Sequence, residues 1–171
     1  MKRLSGTAFV LVLFILGTTA LPLGAARQLP APEKIVLGNG LTVYYLGNSE
    51  LPVVSFRLII RGAGSAFDPA SAEGAAGLMT TLLMKGTSKM SAEAIAEALD
   101  FMGATLGFSA AEEFTQVYGD SLAEHFPRLM EITADCLGDP AFSLEEFERE
   151  RALAVDGIKA AKDNPGQAVR Y

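Results

Sequence analysis

The stretch PVVSFRLIIRG, Pro52 to Gly62, sets the architecture of this chain. Its side chains alternate. Val54, Phe56, Leu58 and Ile60 fall on one side, and Val53, Ser55, Arg57, Ile59 and Arg61 on the other. A period of two is that of a β-strand, and the first side is wholly apolar, so it is expected to face a core. Upstream, KIVLGNGLTVYYL (Lys34 to Leu46) holds two short apolar runs around Gly38, Asn39 and Gly40. Asn and Gly supply the positive φ angles of tight hairpin turns. Downstream, GATLGFSAAEEFTQVYGDS (Gly103 to Ser121) predicts a second hairpin. Its strands fall near Thr105–Phe108 and Phe114–Tyr118, with Glu112 and Glu113 at the turn, where solubility explains them better than substrate contact.

Helical spacing governs the rest. Glu73 to Lys85 is apolar almost all round and ends at Gly86, which predicts a helix buried on most sides. Ser91 to Met102 is amphipathic, with Ser91 as N-cap and Ile95, Leu99 and Met102 as its stripe. A helix from Leu122 to Leu137 is expected to bury Leu122, Phe126, Leu129, Met130 and Leu137, and Gly138-Asp139-Pro140 stops it. The last helix runs from Ser143 to about Lys162. Ser143 and Glu146 form a capping box, and Phe147, Ala154, Val155 and Ile158 form its buried stripe. Three strands, two helices, two strands and two helices predict an α+β fold: a mostly antiparallel mixed sheet with helices packed on it.

Composition narrows the function. Half of the 171 residues are apolar and the formal net charge is −6, with no basic stripe, which disfavours nucleic acid as a partner. The single cysteine, Cys136, sits in an apolar pattern and reads as a buried, inert thiol. Residues 1–26 have the layout of a secretory signal: Lys2 and Arg3, an apolar run from Ala8 to Leu16, then Gly24, Ala25 and Ala26. The expected organisation is a signal over 1–26, a Pro-containing leader over 27–33 and a single folded region over 34–171. The folded part is expected in the periplasm or outside the cell, with no membrane contact once the signal is removed.

Five ordered pieces resemble the N-terminal domain of the insulinase, pitrilysin and mitochondrial-processing-peptidase family. They are LGNGLTVYYL, FRLIIRGAGSAFDP, GAAGLMTTLLMKGT, FMGATLGFSAAEEFTQVYG and DPAFSLEEFERERALAVDGIKAAKDNP. Active members carry an inverted zinc motif, H-x-x-E-H, on a helix. Its two His are ligands, its Glu is the general base, and a later helix adds a Glu ligand. The resemblance places the first His at Gly77, the catalytic Glu at Thr80, the second His at Thr81 and the late Glu at Gly157. None of these can do that work, and shifting the last by one residue offers only Asp156. No catalytic residue, metal ligand or cofactor is therefore expected, although active relatives use zinc. His125, the only histidine, reads as an ordinary helix residue, and the charge-dense EEFERERALAVD as a solvated face in which Glu146 and Glu150 pair with neighbours such as Arg151. Arg170 and Tyr171 match the substrate-holding pair of the family in type but not in position. The resemblance implies an incomplete first domain of a non-catalytic member that works beside an active sister peptidase and contacts peptide. The alternatives are an active zinc metalloendopeptidase and a degenerate fragment.

Overall fold

A computed structural model describes residues 31–48 and 50–162. The expected signal, residues 27–30 of the leader, and Arg170 and Tyr171 lie outside the described residues. The chain forms two compact units that divide at Asn48.

The first unit is a hairpin. Strand β1 (Glu33–Val36) pairs antiparallel with β2 (Thr42–Tyr45), with Glu33 opposite Tyr45 and Val36 opposite Thr42. Gly40 adopts φ +87°, its N–H donates to the Leu37 carbonyl at 2.9 Å, and the Asn39 side chain accepts from the Leu41 N–H at 3.1 Å. The expected turn residues thus supply the turn.

The second unit is built on β3 (Val53–Arg61), which pairs antiparallel with β5 (Phe114–Leu122) along its whole length. The other side of β5 carries β4 (Thr105–Ala110), giving the order β3–β5–β4. Every strand pairing among the described residues is antiparallel. Val54, Phe56, Leu58 and Ile60 are more buried than their neighbours, as the alternation of β3 requires.

Helix α1 spans Ala75–Leu82, α2 Ala92–Met102, α3 Phe126–Gly138 and α4 Leu144–Lys162. Ile95, Leu99 and Met102 of α2 form the core with Leu129, Ile132 and Cys136 of α3, and Phe56, Leu106 and Phe108 pack onto it from the sheet. Each such aliphatic side chain contributes about 1.5–3 kcal/mol on burial. Ser91 caps α2 by accepting the Ala94 N–H at 3.2 Å, and Gly103 ends it in the left-handed region at φ +56°. The fold is α+β, as the element order implies.

Three helical expectations need correction. Leu122 belongs to β5, so α3 starts at Phe126 with Pro127 in its first turn. Its buried face is Leu129, Ile132, Thr133 and Cys136, while Leu122 and Met130 are exposed. Anchoring the stripe on a strand residue put its phase in error. On α4, Phe147 is half-buried but Ala154, Val155 and Ile158 are exposed. Glu146, Phe147 and Glu150, which bonds Lys85, are partly buried, and every residue from Arg151 to Ala160 is exposed on all sides of the helix, so the packing of α4 on the described residues stops near Glu150, short of Ala154. Helix α1 is shorter than Glu73–Lys85. Gly74 before it has φ +90°, and after Leu82 the backbone tightens to a three-residue step, Lys85 N–H to Leu82 carbonyl at 2.9 Å. It buries Ala76, Thr80 and Leu82 but leaves Gly77 and Thr81 exposed, so it is covered on fewer sides than its composition suggests.

The connection from β3 to α1 is held by backbone. The N–H groups of Gly62, Ser65 and Ala66 donate to the carbonyls of Glu113, Ala111 and Glu112 at 3.0, 2.9 and 2.8 Å. Gly64 lies so close to this turn that a Cβ would fall 2.4 Å from the Glu112 oxygen.

Candidate functional site

The candidate site is the face of α1 and the part of α4 beside it. Asp68 positions the start of α1. Its carboxylate accepts the N–H groups of Gly74 and Ala76, both at 2.9 Å, and so satisfies two donors that a helix start leaves open. Helix α1 packs against β4 and α4. At its C-terminal side Lys85 Nζ lies 2.8 Å from a Glu150 carboxylate oxygen, and this pair ties the two helices together. The hydrogen bond from Lys85 holds the Glu150 carboxyl below its ordinary range, with burial opposing and the Lys85 and Arg149 charges assisting.

Gly77, Thr80 and Thr81 follow one another through a single turn. The Thr80 hydroxyl is buried and donates to the Gly77 carbonyl at 2.8 Å; the exposed Thr81 hydroxyl donates to the same carbonyl at 3.3 Å. Both hydroxyl protons are thus spent on the helix backbone, a common use of helical threonines. A Cβ at Gly77 would meet nothing within 4 Å, and the same is true at the exposed Gly157 on α4. Both glycines border open space, so side-chain room is present where side chains are missing.

These residues do not fit a catalytic zinc ion. Zinc takes thiolate, imidazole or carboxylate ligands, and two glycines and two neutral hydroxyls provide none. Among the described residues no group of three or more His, Cys, Asp or Glu is placed to hold a metal ion. Asp156, beside Gly157, is exposed and lies 3.1 Å from Lys159. His125 is half-buried, with its ring centroid 6.5 Å from that of Phe101. Cys136 is fully buried in the core, and burial pushes its thiol up to about 11.

Other residues singled out in the sequence stand apart from α1 in role. Glu112 and Glu113 are exposed at the β4–β5 turn, where their carbonyls hold the β3–α1 connection. On α4, Arg151 bonds Glu148, whereas Glu150 bonds Lys85 and Arg149; the expected Glu150–Arg151 pairing does not form. Sequence reasoning missed both Asp68 and Lys85. Asp68 acts across six and eight residues, beyond the three-residue reach of an ordinary cap, and Lys85 depends on a helix distant in sequence. An open cavity of about 380 Å³ borders the same region, lined by the Lys85–Glu93 connection, Ala141 and Glu146.

Known proteins share this fold. The family model described as Insulinase (Peptidase family M16) matches residues 43–171. An uncharacterized zinc protease of Rickettsia bellii is 31% identical over 133 residues, covering 78% of this chain and 32% of the relative. One from Bacillus subtilis is 28% identical over 137 residues, covering 80% and 33%. Among solved structures, the peptidase M16 inactive domain from Pseudomonas fluorescens superposes with a TM-score of 0.75 at 25% identity, covering 81% of this chain and 34% of that one. Pitrilysin shares the fold, with a TM-score of 0.66 at 24% identity over 80% of this chain and 15% of its own. The chain spans about a third of the length of the curated relatives it matches.

Proposed function

Because the chain belongs to the insulinase family of peptidases, family M16, we propose that it is a non-catalytic member, exported from the cytoplasm, that binds peptide and supports an active sister peptidase. The observation that carries this reading is the donor chemistry of α1. The positions that the family resemblance assigns to two His ligands and a general base hold Gly77, Thr81 and Thr80, and both hydroxyls are turned onto the Gly77 carbonyl. A neutral hydroxyl is a poor zinc ligand and no general base near neutral pH, so polarisation of a metal-bound water has nothing to rest on here. The helix is firmly placed nonetheless, by the Asp68 cap, the Lys85–Glu150 tie and the packing on β4. A firmly placed helix without metal donors suits a role in binding and assembly. The basic start and apolar run of residues 1–26 support export.

A second reading, an active zinc metalloendopeptidase, is favoured by the names of the curated relatives, which are called zinc proteases. It requires ligands from another chain or segment. Zinc content and peptide cleavage decide between the two, measured on protein from Arg27 onward, alone and mixed with a relative that keeps the H-x-x-E-H motif. The expected result is no stoichiometric zinc, no cleavage alone, and a raised rate for the relative in the mixture. Stoichiometric zinc with cleavage by the protein alone would overturn the proposal in favour of the enzyme. Inertness in both settings would overturn it in favour of a degenerate fragment.

A further inference from the structure

On the sheet face turned away from the helical core, two guanidinium groups stand without partners. Arg57 and Arg61 are exposed on the face of β3 that also carries Ile59. Among the described residues neither takes part in an ion pair or a side-chain hydrogen bond. Every other lysine or arginine whose side chain is described between residues 50 and 161 is ion-paired. The chain has 20 acidic against 14 basic side chains, so carboxylates are in surplus, yet among the described residues none is set against these two. Asp120 shares their face and accepts the Thr105 hydroxyl at 2.7 Å.

The ground between the two arginines is mixed: Ile59 lies on β3, with the polar Gln116 opposite it on β5. Ile59 is 46% exposed. Across β5, Tyr118 stands opposite Arg57 and Phe114 opposite Arg61. The Tyr118 ring lies over Gly107 of β4, where a Cβ would come within 2.5 Å of it. A glycine there lets the ring lie flat on the neighbouring strand and stay 39% exposed. At about 3.3 Å per residue, the backbones of Arg57 and Arg61 are about 13 Å apart.

We propose that this sheet face binds an extended peptide segment bearing two carboxylates about 13 Å apart, with an apolar side chain between them that settles on Ile59. The proposal deepens the peptide-binding part of the function proposed above and rests on it. Charge complementarity selects the occupant: a net-negative chain repels acidic ligands at long range except where cations are uncompensated. An extended segment with acidic residues four positions apart repeats the spacing of the two arginines.

The test is a titration of a fluorescein-labelled peptide, Ser-Glu-Ser-Leu-Ser-Glu-Ser, against its twin with Gln for both Glu. It uses the whole chain and its Arg57→Gln/Arg61→Gln variant. The Glu peptide is expected to bind the parent protein, to weaken as salt is raised, and to lose about tenfold in affinity on the variant or with the Gln twin. The variant should keep its melting temperature, since both side chains are exposed and unpaired. If it does not, the two peptides compared on the parent protein still decide. No binding, or equal affinity for the Glu and Gln peptides, overturns the proposal. The co-assay with the intact-motif relative reads the partner role separately. Stimulation retained without arginine-dependent peptide binding overturns this face and leaves the partner role standing. Arginine-dependent binding without stimulation supports the face and removes the partner role.

Discussion

Replacing Gly64 with Ala attacks the join between β3 and α1 at one atom. The added Cβ would lie 2.4 Å from the Glu112 carbonyl oxygen, 2.5 Å from the Ala111 oxygen and 2.5 Å from the Phe114 nitrogen. All three are backbone atoms, so no rotamer change relieves the clash. Ordinary contact requires the connection to retreat from the turn by about 1 Å, taking carbon–oxygen contact at roughly 3.4 Å. That retreat breaks the Ser65-to-Ala111 and Ala66-to-Glu112 hydrogen bonds, now 2.9 and 2.8 Å. Two such bonds contribute about 1 kcal/mol each, and overpacking strain adds about 1–3 kcal/mol. A loss of about 3–5 kcal/mol is a large share of a stability that is typically about 5–15 kcal/mol. The melting temperature followed by circular dichroism should fall by about 10 °C or more. Gly138→Ala is the control. It sits in the last turn of α3, where a Cβ meets nothing within 4 Å, and should be neutral or slightly stabilising. A Gly64→Ala protein that melts within about 2 °C of the parent would refute the reasoning.

Three further outcomes follow from the site and the core. The folded state holds the Glu150 carboxyl below its ordinary value of 4.5, so the stability it contributes is present above the unfolded pKa and lost as pH falls through the folded one. Urea unfolding between neutral pH and pH 3 should show Glu150→Gln destabilised at neutral pH and less pH-dependent than the parent below about 4.5; parallel curves would remove the Lys85 pair from the account. Cys136, buried and with its thiol pushed up to about 11, should resist a disulfide reagent at pH 8 and react fully in denaturant, and rapid labelling of the native protein would contradict the packing of α3. Finally, Gly77→His/Thr81→His/Gly157→Glu places zinc-competent side chains where room for a Cβ exists. About one zinc per chain by elemental analysis, against none for the parent, is expected if these positions correspond to the family's ligands, and a metal-free triple variant would show that they do not.

The strands were legible because their signals are local. The alternation of β3 and the Asn and Gly of the first hairpin depend on neighbours one or two residues away, and so do the caps at Ser91 and Ser143. The phase of α3 and the packed face of α4 were not legible. The first depended on where β5 ended, at Leu122, and the second on how far along α4 the packing reaches, which stops near Glu150, where Lys85 meets it from the segment after α1. For α1, a helix apolar almost all round carries no periodic contrast, so its sequence could not tell that Gly77 and Thr81 face outward while Thr80 faces in. Gly77, Thr80, Thr81 and Gly157 came from resemblance alone, because glycine and threonine announce no chemistry of their own. The unpaired state of Arg57 and Arg61 could not be read either, since it depends on where every carboxylate of the fold is placed.

Asp68 has a consequence for how this unit opens. The turn at residues 111–113 grips the backbone of residues 62–66, and two residues later the Asp68 carboxylate holds the amides of Gly74 and Ala76. Turn, connection and helix start are therefore fastened in series. When the turn lets go, the carboxylate loses its placement and the first turn of α1 loses the side-chain cap that Asp68 gives it. Hydrogen exchange should accordingly release the amides of Ser65, Ala66, Gly74 and Ala76 as one cooperative group, ahead of the core amides of α2 and α3.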